Sequence, residues 1–168
     1  MIDANAFIMN SATLVGDVVI SSDVLVLANA ILRGDFNQIY IGEKVCIQEN
    51  SVLNPVPQEP IRIKGHSIIG YGAKVHGGEI EKGVFIGANS VILRGVRMGE
   101  YSLIAAGSVL IENMKVPPRS LVMGAPAKVV RELRDEDVEG IKSSLALYIE
   151  MLEEYKSELK EWEIRYTV

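Results

Sequence analysis

Among side chains that titrate or attack near neutral pH, this 168-residue sequence has two histidines and one cysteine. His76 lies in "GYGAKVHGG", where glycines let backbone approach the imidazole closely. Three roles suit it: metal ligand, catalytic base, or an ordinary histidine in a tight turn. His66, in "KGHS", reads as a solvated corner histidine. Cys46 excludes an internal disulfide and suits a reducing compartment. The polar residues that could work with His76 are Tyr71 in the same stretch, Asn54 in "NSVLN", and Gln48.

The composition narrows the setting for that chemistry. The chain is 48% hydrophobic with mean hydropathy +0.20, enough for one domain with a real core. A net charge of -5 argues against a nucleic-acid partner. No apolar run approaches the roughly 20 residues that span a bilayer, and Met1–Asn5 lacks the basic start of a signal peptide. The expectation is a cytoplasmic protein with no membrane partner.

What must position these residues is a six-residue repeat. Stepping by six from Ile2 gives Ile8, Leu14, Ile20, Val26 and Leu32; from Ile41, Ile47 and Leu53; from Ile63, Ile69 and Val75. From Ile80 the same step gives Ile86, Ile92, Met98, Ile104 and Leu110. Gly42, Gly70, Gly87, Gly99 or Ala105 follows the aliphatic residue, and Ser51, Ala73, Ser90, Ser102 and Ser108 recur later in the hexad. A period of six is neither helical nor that of a simple amphipathic strand. It suits a chain that runs straight, turns and repeats, with each aliphatic residue stacked on its counterpart one coil away, about 4.8 Å. The predicted fold class is therefore mostly β: a parallel β-helix of hexapeptide repeats over 1–116.

The period slips between Leu32 and Ile41 ("RGDFNQIY"), between Leu53 and Ile63 ("NPVPQEPIR"), and just after His76. In solenoids such slips map to loops, often on the functional face. Residues 117–134, with Pro117, Pro118 and Pro126, read as an extended crossing segment. Over 135–164 the period becomes 3.6, with Ile141, Leu145, Tyr148, Leu152, Tyr155, Leu159 and Trp162 forming one apolar stripe. That predicts a C-terminal α-helix laid on a prism face, with Asp135 as N-cap.

The stretches "LRGDFNQIYIGEKVCIQENSVLN", "IIGYGAKVHGGEIEKGVFIGANSVIL" and "VPPRSLVMGAPAKVVREL" resemble the γ-class carbonic anhydrase family over nearly the whole chain. The resemblance implies a left-handed coil, a homotrimer, and a zinc or iron site held by three histidines between subunits. The family pattern N-S-V-x-H is Asn50-Ser51-Val52-Leu53-Asn54 here, and G-H-G-A-x-x-H is Gly70-Tyr71-Gly72-Ala73 through His76. Asn54 and Tyr71 thus replace two ligands, Tyr71 at a position that the family contributes from an adjacent subunit. The resemblance makes Arg33 and Asp35 an interface ion pair, and Gln48 the glutamine that hydrogen-bonds the bound water or bicarbonate.

One imidazole, a neutral carboxamide and a phenol that must first lose a proton are a weak zinc set. The expectation is no bound cofactor and little or no CO2 hydration. Two other readings stay open. Hexapeptide β-helices include acyl-CoA-dependent acyltransferases, in which His76 would be the base, Tyr71 a donor, and Lys128 and Arg131 in "GAPAKVVREL" the CoA phosphate contacts. The chain would otherwise be a non-catalytic trimeric binding or scaffold protein.

Overall fold

A chain whose aliphatic residues recur every six positions can bury all of them only by coiling, because a strand or helix would scatter them over several faces. The computed structural model, which describes residues 1–165 and their side chains through Ser157, is such a coil: a left-handed parallel β-helix closed by one C-terminal helix. The prism has three faces. The first carries Phe7–Ile8, Leu25–Val26, Cys46–Ile47, Ile68–Ile69, Phe85–Ile86, Leu103–Ile104 and Ser120–Gly124 in order. The second carries Val52–Leu53, Lys74–Val75, Val91–Ile92 and Val109–Leu110. The third carries Ile61–Gly65, Gly78–Ile80, Arg97–Met98 and Lys115–Val116. Two long strands, Thr13–Ile20 and Ile31–Glu43, run from the second face into the third and join them in one sheet.

Register follows the repeat. Leu32 pairs with Leu53 and Leu53 with Val75 on the second face, and Ile41 with Ile63 and Ile63 with Ile80 on the third. Those side chains are at most 1% exposed and belong to one continuous core. Burying an aliphatic side chain of this size contributes about 1.5–3 kcal/mol. The small hexad residues also do what their position demands. Ser51, Ser90, Ser102 and Ser108 are buried at corners, and each hydroxyl donates to a backbone carbonyl, as Ser51 Oγ does to Gly70 O at 3.1 Å.

The coil continues past the expected limit at 116. Ser120–Gly124 is a rung of the first face, parallel to Leu103–Ile104, and Val122 is fully buried in the same core. Ala127–Glu132 folds back antiparallel on it, so 117–134 is a rung and a closing strand rather than a featureless crossing. Its prolines stand outside both strands, which explains why their presence did not stop the ladder.

The helix α1, Asp135–Arg165, runs back along the first face. Val138 and Ile141 pack beside Phe85, Leu103 and Leu121, while Leu145 and Leu152 join Leu25, Leu27, Cys46 and Ile68. Tyr155 stacks on Phe7 at 5.9 Å near the first coil. The side chains of Leu159 and Trp162 lie outside the described residues. Asp135 is not the N-cap. The Arg134 carbonyl accepts from Val138 N, and Asp137 Oδ2 accepts from Arg134 N at 2.8 Å, so Arg134 is the cap and Asp137 the reciprocal partner.

Because each inward residue fills its own coil, truncation should be costly on the inside only. Ile47→Ala should lower the unfolding free energy by about 2–5 kcal/mol, whereas Val130→Ala, at an exposed edge position, should cost less than about 1 kcal/mol. Denaturant titration of the two variants reads the difference.

Candidate functional site

All three slips in the repeat fall at one corner, between the second and third faces, in consecutive coils. The strand pairings Leu32 with Leu53 and Leu53 with Val75 place Arg33, Asn54 and His76 one after another in a column at that edge. Each directly follows the inward aliphatic residue of its second-face rung, where the chain leaves register. After Arg33, the partner strand goes from Gly16 opposite Gly34 to Val18 opposite Ile39, so residues 35–38 bulge outward. After Asn54 the chain makes its proline-rich excursion. After His76 the corner is one residue short, and the chain turns through Gly77 and Gly78 at φ +147° and +118°. A Cβ on Gly78 would sit 2.2 Å from the Val96 carbonyl oxygen, so only glycine closes this turn.

The bulge and the excursion support each other. Arg33 Nε donates to both carboxylate oxygens of Asp35 at 3.0 and 2.9 Å, and the guanidinium lies 5.0 Å from the centre of the exposed Phe36 ring. Asn37 Nδ2 donates to Pro57 O at 3.0 Å, and Gln38 Nε2 to Asp17 Oδ2 at 3.0 Å. The Arg33–Asp35 pair is thus formed within one chain, about 40% exposed on both sides.

Asn54 and His76 are brought together on adjacent coils, their amides donating to Val75 O and Ile92 O, each at 2.9 Å. Both side chains are half-buried. Asn54 Oδ1 is shut off from water without a hydrogen-bond donor, at a cost of about 1–3 kcal/mol. The His76 ring has no hydrogen-bond partner among the described residues. The site in one chain therefore has unfilled hydrogen-bonding capacity at its centre.

Tyr71 and Gln48 are elsewhere in the same chain, at the corner between the first and second faces. Tyr71 is 56% exposed. Its amide donates to Gln48 Oε1 at 3.0 Å, and its carbonyl accepts from Asn89 N at 2.9 Å. Gln48 is buried, and its carboxamide oxygen pins this turn. Burial first, then Cys46, pushes the Tyr148 phenol above its ordinary value, with Gln48 opposing. The structure therefore makes Gln48 a support for Tyr71 rather than a side chain open to a ligand in the same chain. Cys46 lies beneath α1, and burial, then Glu49, pushes its thiol far above the ordinary range, which leaves it inert as a nucleophile.

The remaining candidates separate further. His66 lies at the corner between the third and first faces and holds Glu43 Oε1 at 3.2 Å, so it cannot stand in for a lost ligand. Lys128 is exposed on the closing strand. Arg131 is not free for a phosphate: its guanidinium grips Asp137 through Nη1 at 2.7 Å and Nη2 at 3.2 Å. The sequence did not single out Glu59 and Arg94. With Val56, Pro60 and Arg97 they line a cavity of about 460 Å³ at the same corner, both within van der Waals reach of a Cβ on Gly77. The prolines announce the near wall of that cavity, but the far wall comes from the next coil and emerges only with the register.

A zinc or iron ion of the kind the resemblance implies needs three donors from His, Cys, Asp or Glu. Among the described residues no three of these lie close enough to hold one. Whichever chain supplies Tyr71, a neutral carboxamide, a phenol that must first lose its proton and one imidazole do not fit the metal.

Comparison with known proteins sets this geometry in context. The family model "Bacterial transferase hexapeptide (six repeats)" matches residues 77–112. The chain is 40% identical over 159 residues to a probable carbonic anhydrase of Methanocaldococcus jannaschii, covering 93% of this chain and 100% of that one. It is 37% identical over 156 residues to a carbonic anhydrase of Geobacillus kaustophilus, covering 93% and 86%. Among solved structures, a candidate acetyltransferase from Bacillus cereus matches with TM-score 0.91 and 35% identity, over 93% of this chain and 91% of that one. No helix among the described residues is long and apolar enough to cross a membrane.

The Arg131–Asp137 contact gives a pH signature. Arg131, then the Arg134 amide, hold the Asp137 carboxyl well below the ordinary carboxylate range. A carboxyl depressed on folding stabilises the folded state above its unfolded value, about pH 4, and loses that contribution as the pH falls. Asp137→Asn should lower Tm at pH 7, and the gap from wild type should narrow as the pH drops towards 3. Thermal scans of both proteins across this range check it.

Proposed function

From the premise that the chain belongs to the γ-class carbonic anhydrase family, we propose that it is a trimeric member whose intersubunit site has exchanged metal chemistry for metal-free recognition of a small molecule. The observation that carries this reading is the donor set, in which His76 alone remains beside Asn54 and Tyr71. Without a bound metal, no group here brings a water pKa down towards 7, which CO2 hydration needs.

The three faces differ in what they offer a neighbouring copy. The first is covered by α1. The third turns charges outward, with Lys64 paired to Glu81 and Arg97 to Glu79. The second turns out Ile31, 38% exposed and paired with Val52, while Val15 and Ile111, at 46% and 51%, stand in the column of Asn54 and His76. An apolar stripe around an unfilled polar pair suits a closed ring of copies. In the ring, the Tyr71 corner of one copy would meet the Asn54–His76 edge of the next. The Asn54 carboxamide and the His76 imidazole would orient the ligand, the Tyr71 phenol would donate to it across the interface, and Gln48 would hold that turn rigid.

A second reading is acyl transfer, favoured by the likeness to the Bacillus cereus structure and by the unpartnered His76 ring. His76 would take the proton from an acceptor amine or hydroxyl as it attacks the thioester carbonyl, and the C–S bond would break to release CoA thiol. With Arg131 bound to Asp137, the CoA phosphates would fall to Lys128 or to other groups. Acetyl-CoA should then raise Tm, and His76→Ala should abolish transfer.

Metal analysis and stopped-flow CO2 hydration test the main reading. The wild-type protein should purify as a trimer with well under one zinc or iron per chain and no hydration above background. The double variant Asn54→His, Tyr71→His should gain about one metal per site. Stoichiometric metal in the wild type, or a monomeric mass by light scattering, would overturn the reading.

A further inference from the structure

The left-handed turn positions of the prism are filled differently at its three corners. At two of them they are asparagine or glycine, as at Asn29, Asn50, Gly72 and Asn89 on one and Gly16, Gly95 and Asn113 on the other. At the third corner, between the third and first faces, the positive-φ residues include Lys44 at +52°, His66 at +50° and Tyr101 at +53°. Lysine and tyrosine rarely adopt this conformation, and with Arg119 at +53° these residues put four large side chains on one edge. Between them stands Gly83, where a Cβ would lie 2.5 Å from the Tyr101 ring, so the missing side chain makes room for that ring.

The helix α1 passes over this corner, and between the two lies a cavity of about 500 Å³. Its floor is apolar, built from Ile141, Leu145 and Ile149 of the helix and the Tyr101 ring. Its rim is basic: Lys44, Lys82 and the His66 imidazole come from the coil and Lys142 from the helix, with Glu150 the one carboxylate among the lining residues. His66 is held by Glu43, and Lys142 is held by Glu139 at 2.6 Å and lies 5.7 Å from the centre of the Tyr101 ring. Lys44 and Lys82 have no carboxylate partner among the described residues. In a chain of net charge -5, two unpaired ammonium groups at the mouth of an apolar cavity call for an anion from outside.

We propose that this cavity is a second binding site, for an amphipathic organic anion whose charged head sits between Lys44 and Lys82 and whose apolar chain lies against Leu145 and Ile149. The site is at a different corner from Asn54 and His76 and does not depend on the function assigned to them. Charge complementarity selects the head, and the helix face selects a tail of several carbons.

Isothermal titration calorimetry of the full chain with octanoate tests this, with 1-octanol as the uncharged counterpart. Octanoate should bind saturably, and octanol at least about tenfold more weakly, since a hydrogen bond to a charged group is worth roughly that factor. The double variant Lys44→Gln, Lys82→Gln, both at solvent-facing positions, should weaken octanoate by about tenfold or more while its Tm without ligand stays near that of wild type. His76→Ala should bind octanoate as wild type does. No saturable octanoate binding, equal binding of octanol, or unchanged affinity in the double variant would each overturn the proposal.

Discussion

Everything in this molecule depends on one constraint: an aliphatic residue every six positions must stack on the one a coil before it. That stacking fixes register, since Leu53 cannot lie over Val75 unless Asn54 lies over His76. It fixes what the corners tolerate, because coils about 4.8 Å apart leave room only for small or left-handed residues there. It also decides where irregularity is allowed. The three slips all occur between the second and third faces and leave the inward stacks of Leu32, Leu53 and Val75 unbroken. A solenoid core of this kind isolates function at an edge, where loops can change without disturbing the stack.

The candidate site is a consequence of that arrangement. A coil sets residues in columns, and one column cannot surround a ligand. Asn54 and His76 supply one side, while Tyr71 and its support Gln48 stand at another corner of the same chain. Asn54 Oδ1, buried and unpaired, marks the same incompleteness from inside. On the proposed reading, a second copy completes the site. The proposed loss of metal chemistry rests on Asn54 and Tyr71 standing beside His76.

Much of this was legible before any coordinates. From Ile20 onward the hexad positions are the buried stack, while Ile2 at the open end is 50% exposed, and the change to a 3.6 period at 135 marks the helix and the stripe that buries Leu145 and Leu152. Two errors came from local rules that tertiary context overrode. The prolines at 117, 118 and 126 suggested the end of the ladder, yet all three stand outside its strands and Val122 still fills the core. Asp135 had the right type for an N-cap, but Arg134 is the cap, and Asp137 accepts from its amide while Arg131 grips the same carboxylate. A motif also cannot show that the Arg131 guanidinium already holds a carboxylate, Asp137. Residues that meet only through stacking, such as Glu59 beside Gly77 and Lys44 beneath the helix, carried no signal in the linear pattern.

The central claim is that the site is shared between copies and holds no metal. A crystal structure of the assembled protein, with anomalous data collected at the zinc and iron edges, tests both parts together. The account predicts the Tyr71 phenol of one copy beside the Asn54–His76 pair of the next, with no anomalous peak between them. A metal peak bonded to His76, or a Tyr71 that faces solvent away from any neighbouring His76, would contradict it.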